Sequence, residues 1–82
     1  MKILVSIKVP AIAEKYDMLL PSTMRVKNLV PMIAEAVEGL SNNMYVASGR
    51  ECLCSIEKNI QFRPNTTLDQ YGIQNGDHLI MI

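Results

Sequence analysis

Residues 66–82 read TTLDQYGIQNGDHLIMI. His78–Ile82 is an almost unbroken apolar run, short enough for a strand and too short for a helix. Asn75-Gly76-Asp77 before it is a turn, with Gly76 free to take the positive φ that a side chain resists. Leu68–Tyr71 reads as a single helical turn. A strand this apolar belongs inside a sheet, and candidate partners lie earlier in the chain.

The first partner is at the other end of the chain. In Met1–Val9, Ile3, Val5, Ile7 and Val9 alternate with Lys2, Leu4, Ser6 and Lys8, the period of two of a half-buried strand. Pro10 ends the run, and Tyr16–Leu20 follows as a second strand, placed to form a hairpin with the first. Ser22 or Thr23 is then positioned to cap a helix. Val26, Leu29, Val30, Ile33, Val37 and Leu40 recur at helical spacing, and Gly39 is the expected stop. Pro31 falls inside this helix, where it removes the bond to the Lys27 carbonyl and typically costs about 3 kcal/mol. It lies on the polar face, where it can kink the helix without breaking the core stripe. Ser41–Arg50 is a loop. Glu51–Glu57 is a third strand, Lys58-Asn59 a tight turn, and Ile60–Phe62 a short fourth strand. In the third strand Cys52, Cys54 and Ile56 share a face, expected to be the inner one; Leu53 and Ser55 take the outer one. Met1, Cys54 and Ile56 are accordingly expected in the core.

The 82 residues make one domain, 1–82, with a composition that is half apolar. Eight basic and eight acidic side chains are scattered without runs, for a net charge of zero. That opposes a nucleic-acid binder, which needs clustered Lys and Arg, and opposes attachment to anionic lipid. No segment approaches the roughly 20 apolar residues of a membrane helix, and no signal peptide opens the chain. A cytoplasmic protein without direct membrane insertion is expected.

Nothing predicts an enzyme. Cys52 and Cys54 supply two metal ligands where structural zinc takes four, so no metal or cofactor is expected. His78 has neither an orienting group nor a nucleophile in view, because Asp77 points to the opposite face of a strand. No Gly-rich phosphate loop and no nucleophile elbow is present.

The order strand, strand, helix, strand, strand, strand requires one mixed sheet with one helix packed across it, an α+β class fold. Crossover handedness makes the last strand parallel to the first. This order is that of the β-grasp. MKILV, LPSTMRV and TLDQYGIQNGDHLIMI resemble the opening strand, helix entry and close of ubiquitin. YDMLLP, VKNLVPMIAEAVEGL and YGIQNGD together resemble the YukD-like (EsaB-like) bacterial ubiquitin-like proteins. The resemblance implies a β-grasp sheet of four to five strands. It also implies a role beside type VII (WXG100, ESX-type) secretion systems, with a membrane or cytosolic component of the machine as protein partner.

The main alternative implied by the ubiquitin likeness is a modifier or a sulfur carrier of the thiamine and molybdopterin type. Those proteins act through a flexible C-terminal Gly-Gly tail. Here Ile82 still belongs to the last strand and no Gly-Gly is present, so conjugation is not expected. The β-grasp order places the first strand between the second and the last. Outward-facing Leu4, Leu19, Leu53, Ile80 and Ile82 are therefore expected to cluster on the face that the helix leaves open, as a protein-binding patch. Ubiquitin binds most partners through this face. A homodimer through the same patch is a further expectation.

Overall fold

The computed structural model describes residues 1–82. Five strands, β1 (Lys2–Val9), β2 (Glu14–Pro21), β3 (Leu53–Ser55), β4 (Ile60–Gln61) and β5 (His78–Met81), form one sheet in the order β2-β1-β5-β3-β4. β1 and β5 are parallel, and every other pairing is antiparallel. One helix, α1 (Val26–Leu40), covers one face. This is the β-grasp. Seventeen apolar residues form a single core, including Ile3, Val5, Ile7 and Val9 from β1 and Val26, Leu29, Ile33, Ala34 and Val37 from α1. The buried stripe of α1 is narrower than the spacing suggested: Val30 is only half-buried and Leu40 is exposed.

The helix begins differently from expectation. Its N-cap is Arg25, in extended conformation, with no side-chain cap. Ser22 is fully buried, and its hydroxyl donates to the Met1 carbonyl at 3.0 Å, tying the end of β2 to the start of the chain. The orphan amides of the first turn find tertiary partners instead. Val26 donates to the Thr66 carbonyl at 2.8 Å and Lys27 to that of Pro64 at 2.9 Å. Pro31 lies on the exposed side of a helix that runs unbroken for 15 residues. The stop is not Gly39, which is helical. The turn comes at Asn42 and Asn43, both at positive φ, where the Asn43 amide reaches back to the Glu38 carbonyl.

Two expected core assignments fail at β3. Leu53 and Ser55 are the buried residues, Cys54 is half-buried, and Ile56 is 71 % exposed. The phase is set by pairing and size. Leu53 sits opposite Met81 of β5, also buried, and burying a leucine is worth about 1.5–3 kcal/mol. Ser55 turns inward at little cost, because its hydroxyl accepts from the Lys58 amide at 3.2 Å and braces the turn before Asn59. Met1 is the third departure. It precedes β1 and is 86 % exposed.

Candidate binding face

The face of the sheet opposite α1 has no second layer. The pairing registers arrange its side chains in rows across the strands. Leu19 of β2 lies opposite Leu4 of β1; both are exposed, at 59 % and 48 %. Next come Asp17, Ser6 and His78, then Lys15, Lys8, Ile80, Cys54 and Gln61. Beyond β5, Ile82 and Cys52 exchange both backbone hydrogen bonds, at 2.9 and 2.7 Å.

Of the five residues expected to form the patch, Leu53 does not belong to it. It points into the core, the consequence of the β3 phase. Leu4 and Leu19 do share the face with Ile80 and Ile82, but the four form two lobes rather than one cluster. Ile80 is in register with Lys8, four residues along β1 from Leu4, which is roughly 13 Å at the rise of a strand. The polar row Asp17–Ser6–His78 lies between. Ile56 belongs to the second lobe, and the alternation misplaced it on the inner face.

The middle rows hold a shallow depression of about 120 Å³, lined among others by Ser6, Lys8, Lys15, Ile56, His78 and Ile80. Ser6 is 7 % exposed and its hydroxyl has no hydrogen-bond partner. A buried hydroxyl left unpaired costs about 1–3 kcal/mol. None of Ser6, Lys8 and Lys15 stands out in the sequence. Ser6 and Lys8 are outward positions of the first strand, but Lys15 falls before the expected second strand and enters β2 only because that strand begins at Glu14.

A second feature lies at the far side of α1. The loop 41–52 folds on the carboxylate of Glu51, which accepts from the Tyr45 hydroxyl at 2.7 Å, the Ser48 amide at 2.6 Å and the Gly49 amide at 3.1 Å. Burial pushes the Glu51 carboxyl up, but the hydrogen bonds from Tyr45 and Ser48 outweigh it and hold the group below its ordinary value. Burial, reinforced by the hydrogen bond to Glu51 and the charges of Glu51 and Glu38, pushes the Tyr45 phenol up to about 12. Glu38 also accepts from the Ala47 amide at 2.7 Å. These carboxylates are spent on backbone amides, so the cluster is a loop anchor. Asp77, next to the only histidine, is likewise engaged, accepting from the Gln74 amide at 2.8 Å.

The fold recurs in solved structures. The ubiquitin-like domain of the Mycobacterium tuberculosis type VII secretion system protein ECCD1 superposes with a TM-score of 0.80 over 100 % of this chain and 98 % of that one, at 13 % identity. One protomer of the ESX-3 core complex matches at TM-score 0.75 and 22 % identity; the chain spans 16 % of that protein's length and is itself fully covered. A ubiquitin-like domain from Arabidopsis thaliana matches at TM-score 0.74 and 22 % identity, over 99 % of this chain and 76 % of that one. At these identities the likeness shows the fold. No curated protein matches the sequence significantly. No helix of the structure is long and apolar enough to cross a membrane. The sequence itself, over residues 3–81, matches the family model described as "WXG100 protein secretion system (Wss), protein YukD", and the chain belongs to that family of ubiquitin-like proteins associated with type VII secretion.

Proposed function

We propose that the chain is a non-enzymatic, cytoplasmic protein-binding module of a type VII secretion machine. It docks on a membrane or cytosolic component through the open face of its sheet. The observation that carries this reading is the set of aliphatic side chains on a face with no covering layer: Leu4 and Leu19 in one lobe, Ile56, Ile80 and Ile82 in the other. Leu4, Leu19, Ile56 and Ile82 are exposed and Ile80 is half-buried; aliphatics grouped on one uncovered face favour an interaction surface. Membership of the secretion family supplies the machine. The reading also holds that the chain is not conjugated. The 82 residues contain no Gly-Gly pair, and the amide and carbonyl of Ile82 are both hydrogen-bonded to Cys52 along one edge.

The test is secretion of WXG100 substrates from a strain carrying Ile80→Asp or Leu4→Asp in place of the parent chain. Circular dichroism on the purified variants checks that they fold. Folded variants that block secretion support the reading, with Glu35→Ala on the exposed side of α1 as a silent control. Folded variants that secrete as well as the parent sink it. Intact-mass measurement of the protein recovered from its host checks conjugation: an adduct or thiocarboxylate on its C-terminal carboxylate would reinstate the modifier reading.

A further inference from the structure

The depression on the open face is built in a way that the docking of aliphatic side chains does not explain. The Ser22 amide donates to the Met1 carbonyl, which makes the odd residues of β1 the hydrogen-bonded partners of β2. The amide of Ser6 and the carbonyl of Leu4 turn the other way, to Asp77 and Gly76. Lys8 and Lys15 are therefore directly opposite in the closer, non-hydrogen-bonded kind of pair, and both side chains leave the same face. Like charges so placed repel, and sheets ordinarily avoid them. The buried Ser6 hydroxyl, with no partner of its own, lines the same depression, and so does His78. Four side chains that carry donors thus line one depression. Ile56 and Ile80 wall it.

We propose that this depression receives a single carboxylate side chain, Asp or Glu, from the partner protein. Aliphatic residues flanking that carboxylate in the partner rest on Ile56 and Ile80. The inference rests on the open face being the docking surface and names the chemistry of what docks there. Size fits a single side chain: about 120 Å³ is well below the roughly 300–1,000 Å³ of small-molecule sites. Charge separates one carboxylate from a polyanion. Glu57 shares the rim and Asp17 lies opposite Ser6, so a nucleic acid or an anionic bilayer meets repulsion on two sides. A lone carboxylate can sit between Lys8 and Lys15 with the Ser6 hydroxyl as donor. The two lysines then share a counter-charge, which relieves their repulsion.

The experiment selects a random twelve-residue peptide library, displayed on phage, against the full chain, and measures the selected peptides by calorimetry. Enriched peptides are expected to carry Asp or Glu beside Ile, Leu or Val. Glu→Gln or Asp→Asn in such a peptide should weaken binding at least ten-fold, as should Lys8→Glu with Lys15→Glu in the protein. Ser6→Ala should weaken it about three- to ten-fold while leaving the urea midpoint unchanged or higher. Peptides without acidic enrichment, or a library that yields none, overturn the proposal. So does displacement of the peptides by millimolar inorganic phosphate, or tighter binding of a short RNA. If sedimentation shows a dimer that Lys8→Glu with Lys15→Glu disperses, the occupant is a second copy and the proposal is also overturned. Binding lost with Ile80→Asp but kept in the lysine variant sinks the carboxylate and leaves the open face standing. Binding indifferent to Ile80→Asp sinks the open face itself.

Discussion

The phase of β3 is best tested by truncating its two candidate core residues separately. In the structure Leu53 is 1 % exposed, pairs with Met81 and packs in the core, while Ile56 is 71 % exposed. Leu53→Ala removes a fully buried isobutyl group whose site is walled by a sheet and a helix, so little collapse can fill the gap. The expected loss is about 2–5 kcal/mol. A domain of this size commonly has roughly 4–12 kcal/mol in total, at 0.05–0.15 kcal/mol per residue, so the variant forfeits a large share. One kcal/mol moves Tm by about 4–8 °C in domains this small, which puts the midpoint at least about 8 °C lower. Ile56→Ala should stay within about 0.5 kcal/mol of the parent. Urea melts followed by circular dichroism measure both, with equal slopes expected for the two variants. If Ile56→Ala costs more than Leu53→Ala, β3 is inverted, and Leu53 returns to the open face beside Ile80.

The loop anchor predicts a pH signature. Glu51 titrates lower folded than unfolded, so its contribution to stability is present above the ordinary carboxylate range and is lost as pH falls through the folded value. Tyr45 is raised, so its contribution is present below its ordinary 10 and is lost as pH rises toward about 12. A carboxyl carbon NMR titration should show the Glu51 midpoint moving up in Tyr45→Phe; an unmoved midpoint would contradict the 2.7 Å bond. For Cys54, burial first and then the neighbouring Cys52 raise the thiol pKa, so little thiolate exists at neutral pH. Alkylation of Cys54 by iodoacetamide, mapped by mass spectrometry, should be slower than that of a free thiol such as glutathione at neutral pH, and comparable rates would show that the raised pKa is absent.

Much of the fold was legible because most elements announce themselves locally. The alternation in β1 and the spacing of Val26, Leu29, Ile33 and Val37 each point to one face, and the layer rule then leaves few arrangements. The misreadings occur where both choices are locally equivalent. In ECLCSIE the apolar residues fall on both parities, so alternation carries no phase, and the buried set is fixed by Met81 across the ladder. The same holds at the helix start. Ser22 and Thr23 have the side chains of caps, yet the first amides are satisfied by the carbonyls of Pro64 and Thr66, some 40 residues away in sequence. Local chemistry offered a cap; tertiary structure made one unnecessary.

The candidate face was legible as a face but not as a pattern. Which residues look outward follows from parity within each strand. Which of them touch follows from the offset between parallel strands, and that offset has no local signature. Here it is set by the turn before β5. The Asn75 side-chain carbonyl accepts from the Leu4 amide at 2.8 Å, and the Gly76 amide donates to the Leu4 carbonyl at 2.8 Å. The turn therefore occupies the flank of Leu4, where a strand residue would otherwise lie. β5 starts one pair later, with His78 beside Ser6, which carries Ile80 up to Lys8 and away from Leu4. A single apolar cluster becomes two lobes with Ser6, Lys8 and Lys15 around the gap. An uncharged aliphatic partner would leave this gap's donors unpaired, whereas a partner with a carboxylate among its aliphatic side chains satisfies them.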